Sequence, residues 1–294
     1  MENNCHFVSS RGILNSCNIK SDIPISSIRQ LYHYDWTNLH EGCTIYICNS
    51  AIPTFAVIID QIPCKFILVS GDCDECCPMD LFPIEKGFET FIENEKILHW
   101  FSQNLIITHP KMSQIPIGLD YHTMTYSDMW GNIISPIEQE KLVMTIRNNS
   151  LPFYLRKPKI YSNFHFALNS KFAKDRVEAI TQIPENLIYF EPSKIERMES
   201  WKNQVEYVFV ASPHGNGLDC HRTWEALCLG CIVIVKTSPL DNLYNGLPVL
   251  IVEDWSCITE KVLVDTIEKC KGMDFQYEKL SLKYWMDKIN GLKR

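Results

Sequence analysis

No stretch of the 294 residues approaches the roughly 18 consecutive apolar side chains that a membrane-crossing helix needs. A basic excess is missing too: 28 Lys and Arg stand against 35 Asp and Glu, a formal net charge of −7. That balance argues against general nucleic-acid binding and leaves room only for a local basic pocket that takes a small phosphate ligand. The opening residues, MENNCHFVSSRG, have neither the basic start nor the apolar centre of a secretory leader. The chain also lacks a disulfide or zinc framework. Its thirteen cysteines are odd in number and scattered, and Cys73-Asp74-Glu75-Cys76 forms a C-x-x-C without the second ligand pair that zinc requires. They read as reduced thiols packed as small apolar groups, and the expected location is cytoplasmic.

What is present is ordinary for a folded protein: 46% hydrophobic and 21% charged residues, in a chain long enough for two domains. Residues 1 to about 40 are polar and irregular and carry no functional signal. Thr44–Cys48 predicts a strand, Phe55–Gln61 a helix and Lys65–Ser70 a second strand ending at Gly71-Asp72-Cys73-Asp74. Helical spacing covers Phe88–Phe101, Leu105–Thr108 reads as a further strand, and Ile115–His122 as an extended edge before a turn. Pro136–Asn149 opens with a proline suited to a first helical turn. The proline-flanked segment Ser150–Pro158 is the predicted linker, giving domains at 1–152 and 153–294. Beyond it strands (160–166, 187–190, 231–236, 249–252) alternate with helices (171–180, 193–202, 257–271, 277–292). Two successive β/α arrays predict two doubly wound, Rossmann-like domains facing across a cleft.

The densest chemistry lies in Val205–Gly230, VEYVFVASPHGNGLDCHRTWEALCLG. Its near-continuous β-branched and aromatic run predicts a strand buried on both faces, ending at Ser212-Pro213. Gly215 and Gly217 permit a tight turn or close approach to a ligand, and Asp219 is placed to cap a helix that Gly230 would terminate. Such strand-to-helix junctions bind anions in open α/β sheets. His221 and Arg222 in the first turn oppose the helix dipole unless an anion offsets them. The loop fails the dinucleotide fingerprint, because Cys220 stands where glycine or alanine is needed. It fails the P-loop too, because Leu218 stands where lysine is needed. What remains suits a diphosphate carrying a ribose: Arg222 as a bidentate fork, His221 as a donor, Glu225 accepting two hydroxyls. The alternative is a surface helix with Arg222–Glu225 and His221–Glu225 pairs worth a few tenths of a kcal/mol.

Residues 211–255, ASPHGNGLDCHRTWEALCLGCIVIVKTSPLDNLYNGLPVLIVEDW, resemble the C-terminal region of exostosin-like glycosyltransferases. The pattern S-P-x-G-x-G-x-D-x-H-R-x-W-E-A-L is met closely, followed by the G-x-x-P-I-V strand with Val233 where proline is common. The resemblance is strong over about 160–260 and weaker over 65–122, where SGDCD and IPIGLDYH are similar. It implies a GT-B architecture, with a nucleotide-sugar donor (UDP- or GDP-linked) held by the C-terminal domain and a glycan or glycoprotein as acceptor. Matching positions make Ser212, Gly215, Gly217, Asp219, His221, Arg222 and Glu225 donor-site candidates, with Glu225 toward the ribose.

An inverting transfer needs a base across the cleft. Asp72 and Asp74 are the first candidates and Asp120 and His122 the second; Asn163, His165 and Arg176 are expected to line the cleft. No cofactor is required of such an enzyme, although Asp72-Cys73-Asp74 resembles a D-x-D motif that would admit a divalent metal. Two rivals remain: a non-catalytic glycan or nucleotide binder on the same fold, and a sugar-nucleotide epimerase or dehydrogenase, which Cys220 disfavours.

Overall fold

Strands of five or six residues with every side chain buried require helices on both faces, and the computed structural model, which describes residues 2–292, shows how they are supplied. The elements of the first half are α1 (Ser10–Ser16), β1 (Cys43–Cys48), α2 (Ile52–Ile58), β2 (Phe66–Gly71), α3 (Glu85–Ile92), β3 (Ile97–Ser102), β4 (Met112–Gln114), α4 (Tyr121–Tyr126) and α5 (Pro136–Asn149). The second half contains β5 (Lys157–Ser162), α6 (Ala173–Gln182), β6 (Ile188–Phe190), α7 (Arg197–Gln204), β7 (Tyr207–Ala211), α8 (His221–Cys228), β8 (Ile232–Lys236), β9 (Val249–Val252), α9 (Glu260–Lys271) and α10 (Leu282–Asn290).

Two all-parallel sheets result, one ordered β1-β2-β3-β4 and the other β6-β5-β7-β8-β9. The predicted α/β pair of sheets is therefore present. The first sheet runs in sequence order, whereas in the second the chain starts at β5, steps out to β6 and reverses past β5 to β7. That reversal is a topological switch point, where ligands bind outside the carboxyl ends of the strands. Asn163 follows β5 and Ser212 follows β7, so the switch point opens on two of the predicted donor-site residues.

One hydrophobic core fills the space between the sheets, joining Val69 and Phe101 of the first to Val210 and Val233 of the second through Trp201, Trp224 and Trp285. Separate clusters lie on the outer faces, one around Phe55, Phe66 and Trp100, the other around Ile160, Phe209 and Trp255. Chain ends close this arrangement: Val8 N–H donates to the Leu280 carbonyl and Leu282 N–H to the His6 carbonyl, both at 2.8 Å, and α10 packs on α1. The polar N-terminal stretch is thus part of the packed body. The proline-flanked segment is pinned as well, because buried Arg156 donates to the carbonyls of Leu151 and Leu229.

Three local expectations are corrected. Residues 88–101 are not one helix: α3 stops at Ile92, and after the Asn94–Lys96 turn the chain becomes β3, whose aromatic side chains pack in the sheet. Leu105–Thr108 makes only an isolated bridge from Leu105 to Cys77; the fourth strand is Met112–Gln114. Asp219 does not cap α8, whose N-cap is Cys220 without a side-chain hydrogen bond. Helix α5 begins as predicted, with Ser135 and Glu138 forming a capping box.

Candidate active site

A cavity of about 360 Å³ lies at the switch point, between the carboxyl ends of the two sheets. Asn163, Arg176, Gly215, Gly217, Asp219, His221, Arg222 and Glu225 all border it, so the structure brings together eight of the residues predicted for the second half of the site. From the first half Asp74, Ile117 and Trp130 reach its wall. Ser212 stands behind it, buried, its hydroxyl 2.8 Å from that of Thr223 in the first turn of α8.

The glycine loop is shaped by what it touches. A Cβ at Gly215 would lie 2.7 Å from Arg176 Nη2, and one at Gly217 would lie 3.0 Å from Asn104 Nδ2 and 3.3 Å from Asp74. Arg176 braces the loop through the His214 carbonyl at 3.0 Å and reaches the Ala167 carbonyl. Asp219 turns inward: its carboxylate accepts from Ile117 N–H at 2.8 Å and from Trp224 Nε1 at 2.8 Å, with the Tyr244 hydroxyl at 3.4 Å. Burial raises this carboxyl above its ordinary range, against those donors, which lower it. Asp219 N–H donates to Asn104 Oδ1 at 2.9 Å, so residues of both halves clasp the loop.

With no side-chain cap, the start of α8 leaves room for an external anion. His221 Nδ1 is 2.8 Å from the Gly118 carbonyl; because a carbonyl only accepts, Nδ1 carries the proton and Nε2 is left for the cavity. Arg222 is half-buried over the Phe164 ring, and its one side-chain hydrogen bond among the described residues, to the Pro213 carbonyl, is long at 3.4 Å. Burial lowers the affinity of its guanidinium for a proton, but arginine stays charged in proteins. A cation held so loosely within the protein has donors to spare.

Glu225 is 7% exposed. Its Oε2 accepts from Trp201 Nε1 at 3.0 Å, while Oε1 has no hydrogen-bond partner among the described residues and lies 3.9 Å from Arg197 Nε. Gln204 Oε1 is likewise buried and unpaired at the same cavity. Buried acceptors left unpaired cost stability, and both of these belong to side chains that border the cavity.

The four base candidates separate. Asp72 faces away from the cavity, toward the N-terminal segment, where Ser26 donates to it at 2.9 Å and Arg11 Nε lies at 3.6 Å. Asp74 is on the wall, and burial pushes its carboxyl up despite the lowering charge of His221. Because Asp72 and Asp74 point to different places, the D-x-D reading does not fit, and among the described residues no three His, Cys, Asp or Glu are grouped to hold a metal ion. Asp120 caps α4 behind Arg197, whose Nη2 donates to it at 2.8 Å. Burial would raise the Asp120 carboxyl, but the charges of His221, Arg197 and His122 hold it well below the usual range. His122 Nδ1 is 3.2 Å from Asp120, off the cavity wall, and burial outweighs that carboxylate to push the imidazole down to about 4. His165, expected at the cleft, is held by the Glu191 carbonyl at 2.9 Å and does not border the cavity.

The His122 shift sets a pH dependence. A histidine whose folded value lies below its unfolded one of 6.5 binds protons more weakly when folded. Its contribution is therefore complete above the unfolded value and is lost as pH falls toward 4, on the order of 3 kcal/mol for a shift of this size. His99, also pushed down to about 4, acts in the same direction. Thermal midpoints are expected to fall steadily between pH 7 and pH 5, and His122→Gln to flatten that slope in part. An unchanged slope in the variant would remove His122 from this account.

Arg197, Glu191, Gln204 and Trp130 border the cavity without having been singled out from the sequence. Arg197 and Gln204 lie on α7, whose charged and amide residues match a solvated helix face, and Trp130 lies in an irregular loop. Only their position beside the switch point distinguishes them.

No protein-family model matches the chain. No curated protein matches it in sequence. Among solved structures, matches include a trehalose-6-phosphate protein from E. coli bound with UDP-2-fluoro glucose, 9% identical over 87% of this chain and 72% of that one, with a TM-score of 0.37. An apo structure of OtsA is 10% identical over 85% and 73%, with a TM-score of 0.38. An alpha,alpha-trehalose-phosphate synthase (UDP-forming) from Burkholderia vietnamiensis is 9% identical over 88% and 74%, with a TM-score of 0.37. These likenesses are distant, and the chemistry of the cavity, not the likeness, carries the functional reading.

Proposed function

We propose that the protein is a glycosyltransferase of GT-B type, exostosin-like in its donor site, that moves a sugar from a UDP- or GDP-linked donor to a glycan or glycoprotein. The observation that carries this reading is the unpaired, buried Glu225 Oε1 on the same helix as Arg222, at the switch point. A ribose brings two hydroxyl donors to that oxygen. The attached diphosphate then meets the uncapped start of α8 and the Arg222 guanidinium, which offset the charge that builds as it leaves. Asp74 serves as base: its raised proton affinity suits it to accept the acceptor hydroxyl's proton as that oxygen attacks the anomeric carbon. The bond from that carbon to the phosphate oxygen breaks on the opposite face, inverting the configuration, and the nucleoside diphosphate departs.

Thermal-shift and calorimetric titration with UDP, GDP and their sugar conjugates test the donor half. At least one is expected to bind, and ligand at 100 times its Kd raises stability by about 2.7 kcal/mol. Slow release of free nucleotide without acceptor separates a transferase from a binder that grips the same ligand. Failure of every nucleotide to bind would overturn the reading.

A further inference from the structure

The two walls of the cavity are unequal. The second half supplies the cations, the glycine loop and the unpaired acceptors, whereas the first half supplies Asp74, Ile117 and Trp130. If the donor belongs to the second half, what faces the second substrate is one carboxylate, one small apolar contact and one large aromatic ring. Trp130 is unlike the molecule's other large indoles. Trp100, Trp201, Trp224, Trp255 and Trp285 are fully buried and Trp36 is partly buried against the first sheet's outer core, whereas Trp130 is 37% exposed.

Its presentation is built. The Trp130 carbonyl accepts from Arg197 N–H at 2.9 Å, and the Arg197 guanidinium lies 5.6 Å from the ring centroid. Arg197 is itself fixed, donating to the Asp120 carbonyl at 2.7 Å and to its carboxylate at 2.8 Å. The loop is anchored again where Ile134 N–H donates to the Met124 carbonyl at 3.0 Å. An aromatic ring backed by a fixed cation and open to a cavity is matched by a ligand with a flat, weakly polar C–H face and a hydroxylated rim. A pyranose ring in a chair conformation has that shape.

We propose that Trp130 is the acceptor platform: a pyranose of the acceptor glycan stacks on its ring and so presents a hydroxyl toward Asp74. This rests on the glycosyltransferase reading and names the substrate class of its open half. Uracil or guanine offers a flat face too, but the cavity's second half has the partly exposed Phe166 for a nucleobase, in the half that carries Glu225.

The test is saturation-transfer NMR on the whole chain, with UDP present and the methyl pyranosides of glucose, galactose, mannose, N-acetylglucosamine and xylose as probes, together with cellobiose. At least one probe is expected to receive its strongest saturation on the hydrogens of a single ring face. Trp130→Ala should reduce that signal tenfold or more, and Trp130→Phe should keep most of it, with circular dichroism checking that both variants fold. Three results would overturn the assignment: no probe saturates while UDP binds, the face-selective signal survives in Trp130→Ala, or Trp130→Ala weakens UDP binding as much as sugar binding. Absence of UDP and GDP binding in the unmodified protein would instead strike at the donor reading, so the two failures are distinguishable.

Discussion

Arg222→Ala is expected to lower turnover by about 10²–10³-fold, the size seen when one preorganised group that stabilises developing negative charge is removed. Nucleotide affinity should fall with it, by roughly 1.5–3 kcal/mol, the value of hydrogen bonds to a charged group. The fold should survive. Arg222 is half-buried and makes one long bond within the protein, so truncation strands no strong partner. Arg222→Lys separates charge from geometry, because it keeps the cation and loses the fork. Calorimetry against UDP and GDP conjugates, with a thermal melt alongside, reads all of this. Unchanged affinity of Arg222→Ala for every nucleotide that binds the parent would show that the first turn of α8 is not the diphosphate site.

Asp219→Ala should do the reverse and damage the fold first. The carboxylate satisfies the Ile117 amide and the Trp224 indole, both buried, and each donor left without an acceptor costs roughly 1–3 kcal/mol. Such a loss is a large share of the 5–15 kcal/mol that a typical domain has in all. Asp219→Asn keeps an oxygen for one donor and should retain much of the stability. Urea denaturation midpoints of the three proteins rank the effect, and equal midpoints would mean that the inward turn of Asp219 is not structural. Since burial raises this carboxyl, its protonation favours the folded state as pH falls and so runs against the His122 effect.

Much of this was legible in the sequence, for identifiable reasons. Strands buried on both faces announce themselves as unbroken apolar runs, and β7 and β8 were read within a few residues. Pro136 together with the Ser135–Glu138 capping box fixes the start of α5 without tertiary context. The region 88–101 misled because apolar and charged residues alternate at spacings that fit a helix, while the turn at Asn94 that divides it leaves a weak signal. Asp219 misled for a different reason. An aspartate before a helix is the usual cap, and only the packing of Ile117 and Trp224 around it turns the carboxylate the other way.

The site divides along the same line. Gly215, Gly217, His221, Arg222 and Glu225 belong to one contiguous loop and helix, so local order alone brings them together. Asp72 and Asp74 are equivalent in sequence, and only the packing of Arg11 and Ser26 on Asp72 takes it out of the cleft. Arg197 and Trp130 act through long-range geometry, which residue spacing does not encode.

The clasp between Asn104 and the glycine loop has a consequence for anyone recombining such chains. Asn104 meets Asp219 N–H, Ile117 N–H meets the Asp219 carboxylate, and the Gly118 carbonyl meets His221, so the glycine loop takes its shape partly from the other half. A chimera joined within residues 150–156 would inherit a glycine loop cut to fit a different neighbour. Asn104, the 117–118 backbone and Asp219 form one cassette, and a graft meant to reshape the cavity has to carry both sides of it.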